Sequence, residues 1–161
     1  MPTIEPATLA DVDQLADLLG ILFSQEAELT PDRQKQIRGL QAIIAAPAVG
    51  RIFVARDDGD AGRTTGGNSA AGRLLGMVSL LSTISTAEGG PVCWLEDMIV
   101  RPEARAAGIG SRLLRHAIDH ARSTGFLRIM LLTDADNDGA KRFYHRHGFQ
   151  SSTMSTLRLK L

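Results

Sequence analysis

The chain carries no surplus of charge: 18 Lys and Arg stand against 18 Asp and Glu, so nothing draws it toward nucleic acid or an anionic membrane. Aromatic residues are few. One tryptophan, one tyrosine and five phenylalanines are a poor supply of stacking platforms for single strands, and a nucleic-acid partner is not expected. A single cysteine, Cys93, cannot form an internal disulfide. No apolar run approaches the roughly 18–20 residues that span a bilayer, so no membrane partner is expected. The opening MPTIEPATLADVDQ has neither the basic nor the apolar region of a signal peptide. A soluble cytoplasmic protein is the expectation.

What remains is an ordinary folded composition. With 161 residues and 43% apolar side chains, the chain is read as a single domain, 1–161, with a sizeable core. Residues 3–4 suit a short strand. Thr8-x-x-Asp11 suits a capping box, after which Leu9, Val12, Leu15, Leu18, Leu19 and Leu22 recur at helical spacing. Thr30-Pro31 opens a second helix, with proline at its first position and Ile37, Leu40, Ile43 and Ile44 as its apolar stripe. Strands are expected at 51–55 and 74–81. Between them, residues 57–73 hold five glycines and almost nothing apolar, which reads as a flexible hairpin tip rather than an interdomain linker. A turn at 86–91 precedes a strand at 92–100, a helix at 108–123, a strand at 127–133, a helix at 137–147 and a last strand at 153–160. The order βααβββαβαβ predicts an α/β (α+β) mixed, largely antiparallel sheet with helices on both faces.

Between the strand CWLEDMIV and its following helix, Arg105, Gly108 and Gly110 satisfy R-x-x-G-x-G. Glycines there bring backbone N–H groups close to a ligand, and the helix start leaves N–H donors unpaired at the positive end of its dipole. A phosphate or pyrophosphate suits that turn. A plain strand–helix turn has the same look. A dinucleotide fold is disfavoured, because the third residue after Gly110 is Leu113 rather than glycine.

LEDMIV, then R-x-x-G-I-G, then Asn137 and RFYHRHGF resemble, in that order, the GNAT superfamily of acetyl-CoA-dependent N-acetyltransferases, most strongly over residues 92–150. Ala106 departs from the pattern, standing where many members have glycine; its methyl is tolerable there only at negative φ. The resemblance implies that acetyl-CoA is the co-substrate, with no metal. It implies that the coenzyme is held by Met98, Ile99, Val100, Arg105, Ala106, Ala107, Gly108, Ile109, Gly110, Ser111, Asn137, Lys141, Phe143 and Tyr144. It leaves room for a homodimer.

The run Asp134-Ala-Asp136-Asn-Asp138-Gly139 also resembles half of a calcium loop. Such a loop needs a glutamate at its twelfth position, where His145 stands, and a helix before it, where RIMLLT reads as a strand. The aspartates better suit a strand-to-helix turn. His116 and His120, four apart, lack the intervening glutamate of H-E-x-x-H and read as a solvated stripe. Cys93 reads as a core residue.

Acetyl transfer to an amine needs a neutral amine, donors for the thioester oxygen, a proton source for the thiolate, and close positioning. Tyr144 is the candidate acid, or else closes the core beside Phe143. Glu96 is the candidate base, through water, or else an ion-pair partner. Strict alternation along 92–100 puts Trp94, Glu96 and Met98 on one face, with Cys93, Leu95, Asp97 and Ile99 on the other. Phe23, Glu26, Glu28 and Glu96 would line the acceptor site. The expected reaction is direct transfer to a small-molecule amine in a ternary complex. A non-catalytic acyl-CoA-binding module and a peptide or protein N-acetyltransferase are the alternatives.

Overall fold

The computed structural model describes residues 1–26, 28–57 and 72–161. The glycine-rich stretch expected at 57–73 therefore falls outside the described residues over 58–71. The elements are β1 (Thr3–Pro6), α1 (Val12–Phe23), α2 (Arg33–Ala45), β2 (Gly50–Arg56), β3 (Leu74–Ser85), β4 (Gly90–Val100), α3 (Ile109–Ser123), β5 (Ile129–Leu131) and α4 (Asp138–Arg146). They build one five-stranded sheet in the order β1-β2-β3-β4-β5. The first four strands pair antiparallel, and β5 joins β4 in parallel after the α3 crossover.

Each face of the sheet buries one core. On one side, Leu15, Leu18 and Leu19 of α1 and Leu40 of α2 meet Ile52, Val54, Met77 and Ile99. On the other, Leu113, Leu114 and Ala117 of α3 meet Phe53, Ala55, Val78, Leu80, Cys93 and Leu95. Leu113 and Leu114 are wholly buried, each worth about 1.5–3 kcal/mol relative to an exposed leucine. The helical stripes read from the sequence bury, apart from Leu9, which precedes α1 and is exposed.

Three expectations need correction. The α2 helix begins at Arg33 rather than after Thr30: Asp32 caps it by accepting from the Lys35 N–H at 3.1 Å, a stronger start than the proline provides. The strand expected at 127–133 keeps only Ile129–Leu131. The strand expected at 153–160 does not form. Residues 151–161 have no regular structure and lie exposed, and the outer edge of β5 stays without a ladder to them.

The expected capping box is present, with Asp11 accepting from the Thr8 N–H at 2.9 Å. Asp11 is also almost fully buried and meets Arg56 Nη2 at 2.8 Å, while Arg56 also reaches Glu5. Burial works against the Asp11 charge, but the Thr8 N–H and the Arg56 guanidinium together hold its carboxyl below the usual range. A lowered carboxyl stabilises the fold above its unfolded value and loses that contribution as pH falls through the folded one. Asp11→Ala, which removes the capping carboxylate and one of the two carboxylate partners of Arg56, is expected to cost about 1–3 kcal/mol in urea denaturation at pH 7. The difference from the parent should shrink below about pH 4.

Candidate functional site

The site forms where β4 and β5 part. Their parallel pairing runs from Cys93↔Ile129 to Leu95↔Leu131 and goes no further, while β4 continues to Val100 beside β3 alone. At the same level β4 bulges. Val78 pairs with Met98 and Leu80 with Leu95, so Ser79 stands against both Glu96 and Asp97. Its hydroxyl closes the bulge, accepting from the Asp97 N–H at 3.0 Å and donating to Asp97 Oδ2 at 3.2 Å. Bulges of this kind re-aim side chains.

The bulge overturns the strict alternation expected for this strand. Cys93 and Leu95 share their face with Met98 and Val100, toward α3 and α4, while Ile99 joins the α1–α2 core. Glu96 is exposed whereas Asp97 is half-buried against Ser79, yet the two charges act on one another. The Asp97 carboxyl is pushed up to about 6, first by burial and then by the charge of Glu96, with Glu26 adding and the Ser79 hydrogen bond opposing. Glu26 is itself raised by burial and by the charges of Asp134 and Glu96, against the pull of Arg158. Four carboxylates from α1's end, β4 and the β5–α4 turn therefore share one electrostatic field. Asp97 and Asp134 were missed as site residues: the bulge leaves no mark in the hydrophobic pattern, and Asp134 was read as turn chemistry.

Tyr144 lies across the gap, half-buried, with its hydroxyl 3.8 Å from Met98 Sδ. Its ring meets Phe143 and Phe149 edge-on at 5.3 and 5.6 Å. Burial, then the Glu26 charge, push its phenol up to about 12. It both closes the core and presents a hydroxyl at the parting, so the two sequence readings are compatible.

At the far end of β4 the chain turns into α3. Arg101 Nε donates to the Leu74 carbonyl at 2.7 Å and Arg105 Nε to that of Val100 at 3.1 Å, pinning the turn at both ends. Arg105 also reaches Gln25 Oε1 at 3.5 Å. Gly108 has φ 74°, and a Cβ there would meet nothing within 4 Å. Gly110 is seated differently: its Cβ would lie 3.6 Å from Val100 Cγ2, 3.7 Å from Phe143 Cζ and 3.8 Å from Met98 Cε. Helix geometry leaves the N–H groups of Ile109, Gly110 and Ser111 without intrahelical acceptors, although the Ile109 side chain is buried in the core. The Ala106 condition fails: its φ is 66°, a left-handed backbone that costs a non-glycine residue about 1–2 kcal/mol.

Other expected ligands are already engaged. Asn137 caps α4, its Oδ1 accepting from the Ala140 N–H at 3.0 Å, which leaves only its amide NH2 for a ligand. Lys141 Nζ turns to the Ala135 carbonyl and lies 3.4 Å from Asp138. Phe23 packs on the α1–α2 core. Glu28 pairs with Arg158 at 2.8 Å. The strand β5 before Asp134 and the Asn137 cap after it match the turn reading of the aspartates, and among the described residues no group of three His, Cys, Asp or Glu could hold a metal. His116 and His120 are not a solvated stripe: both rings meet Phe53 edge-on, at 4.7 and 4.9 Å. Cys93 is buried, with burial pushing its thiol up to about 11. No helix of the described residues is long and apolar enough to cross a membrane.

The model of the acetyltransferase (GNAT) family matches residues 15–149. The chain is 33% identical over 82 residues to the uncharacterized N-acetyltransferase YhfO of Bacillus subtilis (strain 168), covering 51% of this chain and 55% of that one. It thus spans about half the length of that relative. To glucosamine 6-phosphate N-acetyltransferase 1 of Oryza sativa subsp. japonica it is 27% identical over 146 residues, covering 91% and 79% of the two chains. Among solved structures, a probable acetyltransferase superposes with a TM-score of 0.79 at 26% identity, covering 99% and 97%. A possible acetyltransferase from Clostridium difficile 630 superposes with a TM-score of 0.81 at 15% identity, covering 100% and 98%, a likeness of fold alone.

Two outcomes follow from this geometry. Ala106→Gly relieves the left-handed alanine and should stabilise the fold by about 1 kcal/mol, seen as a rise in Tm of about 2–4 °C. Asp97, with its carboxyl raised, withdraws stability as pH climbs through about 6. Asp97→Asn should therefore be more stable than the parent at pH 8, by up to about 2–3 kcal/mol at 1.36 kcal/mol per unit. The advantage should vanish at pH 4, as thermal melts at the two pH values can check.

Proposed function

The chain belongs to the acetyltransferase (GNAT) family, and on that premise we propose that it transfers an acetyl group from acetyl-CoA directly to the amine of a small molecule. The observation that carries this reading is the parting of β4 from β5 beside the glycine turn, with the Tyr144 hydroxyl at the gap. The coenzyme supplies an activated acyl group as a thioester, and the residues present fit it. The unpaired N–H groups at the start of α3 and the open space at Gly108 suit a diphosphate. The edge of β4 from Met98 to Val100, free of β5, suits the amides of a pantetheine arm.

Proton accounting assigns the roles. An alkyl amine titrates near pH 10 and must lose a proton before it attacks. Asp97 at about 6 is a stronger base than an ordinary carboxylate and is still ionised at pH 7, so it is the better proton acceptor. Glu96, exposed at the bulge, meets the incoming ammonium, and Glu26 extends the same field. Tyr144 donates a hydrogen bond to the departing sulfur. The charge of this cluster disfavours acceptors with a phosphate near the amine, such as the glucosamine 6-phosphate in the rice relative's name, and favours cationic ones.

Free thiol released from acetyl-CoA is the test, over a panel of polyamines, aminoglycosides, glucosamine 6-phosphate and peptides with free amino groups. Turnover with a cationic small amine is expected. CoA that raises Tm while no amine is acetylated would make the chain an acyl-CoA-binding module, and turnover with peptides alone would make it a protein acetyltransferase. Tyr144→Phe should lower kcat by about 10² or more with CoA affinity unchanged. Log kcat/KM should rise with pH up to about 6. Asp97→Asn should abolish that limb, and Glu96→Gln should move it to lower pH by removing a neighbouring negative charge.

A further inference from the structure

The segment after Phe149 plays no part in the proposed chemistry. Leu157, Leu159 and Leu161 alternate as in a strand, yet they are 96%, 85% and 112% exposed, so packing does not hold this segment in place. Charge does. Arg158 Nη1 lies 2.8 Å from Glu28 Oε2, and the same guanidinium acts on Glu26. Glu26 in turn shares the field of Glu96, Asp97, Asp134 and Tyr144. The C-terminal segment therefore brings a cation to the edge of the acidic cluster, on the acceptor side of the parting.

We propose that this segment is a strap whose Arg158 guanidinium occupies the place where a cationic acceptor enters, so that tail and acceptor compete for Glu26 and Glu28. The proposal rests on the acetyltransferase reading above. A guanidinium suits the role chemically: it stays charged at any relevant pH and offers no neutral nitrogen to the thioester, so it can occupy the entrance without being acetylated. The contact is weak, because both partners are largely exposed, at 59% and 71%. The tether offsets that weakness. Arg158 is nine residues beyond Phe149, which α4 and Tyr144 anchor, and so short a link gives an effective concentration on the order of millimolar. An acceptor with two or more positive charges displaces the tail more readily than a monoamine does.

Limited trypsin digestion reads tail release without catalysis, because trypsin cleaves after Arg158. With the full chain and no acetyl-CoA, cadaverine is expected to accelerate cleavage at Arg158 about 2- to 5-fold beyond sodium chloride of equal ionic strength. Glu28→Gln should show the faster rate from the start and lose most of its response to cadaverine. In turnover, Arg158→Ala should lower KM for cadaverine about 2- to 5-fold, with kcat and CoA affinity unchanged. Cleavage that ignores both cadaverine and Glu28→Gln, or that salt accelerates equally, overturns the strap. Cleavage that responds in a protein that acetylates no amine keeps the strap and rejects the enzyme reading. Acetylation with an unchanged KM in Arg158→Ala does the reverse.

Discussion

One serine hydroxyl governs the geometry of the sheet's centre. Ser79 is fully buried and faces two residues of β4 where regular pairing would give it one, its oxygen accepting from the Asp97 N–H and donating to the carboxylate. Without that bridge the bulge would leave a buried carboxylate and a buried N–H short of partners, each costly to strand. With it, the strand changes phase. Met98 and Val100 turn toward α3 and α4, where they meet Gly110 and Tyr144, while Asp97 keeps the α1 side among the other carboxylates. The same change coincides with the loss of pairing to β5. A single backbone irregularity thus coincides with the parting and separates the surroundings of Asp97 from those of Met98 and Val100.

The two cores hold that arrangement from either side. The apolar stripe of α1 fixes the end of the helix from which Gln25 and Glu26 emerge, and the stripe of α3 fixes the turn at Gly108. Arg105 ties the two walls together through Val100 and Gln25. Burial dominates these positions energetically, since each leucine in the stripes contributes more than an exposed ion pair does. The positively twisted backbone of Ala106 is held against this background. A residue in that conformation persists only where its surroundings over-determine it, and the bonds from Arg101 and Arg105 at the ends of the turn do so.

Features set by local periodicity were legible in the sequence. The stripes of α1 and α2, the strand-to-helix turn at Gly108 and the aspartate-rich turn before α4 all follow from spacing and residue type. Features set by pairing across the sheet were not. Strict alternation put Met98 and Cys93 on different faces, and nothing in CWLEDMIV announces that one β3 residue opposes two of β4. The strand expected at 153–160 has the right alternation of leucines but forms no ladder with the edge strand β5, and alternation by itself supplies no hydrogen bonds. Asp32 outcompeted Pro31 as a helix start because a side chain that accepts an orphan N–H is worth more than a preset φ. The histidines of α3 were misread because the expected polar stripe takes no account of Phe53, which reaches them from β2.

The pair of perturbed groups also limits how the chemistry can run. A thiol titrates near 8.5, whereas the Tyr144 phenol sits at about 12 with Glu26 contributing to the rise. On the proposed reading, complete transfer of its proton to the sulfur would therefore be uphill by several units in the site as it stands, and Tyr144 would serve better as a hydrogen-bond donor that shields the developing thiolate. On the proposed reading, an acceptor that brings more positive charge to Glu26 than the Arg158 it displaces would change this balance. It would cancel part of the negative field that raises both Tyr144 and Asp97, bringing the phenol closer to the thiol while leaving Asp97 more fully ionised. On the proposed reading the acceptor's own charge would thus help to tune the acid and the base that act on it, and a neutral or anionic acceptor would forfeit that effect. The proposed charge selection and the proposed proton transfer both trace to the same cluster of carboxylates.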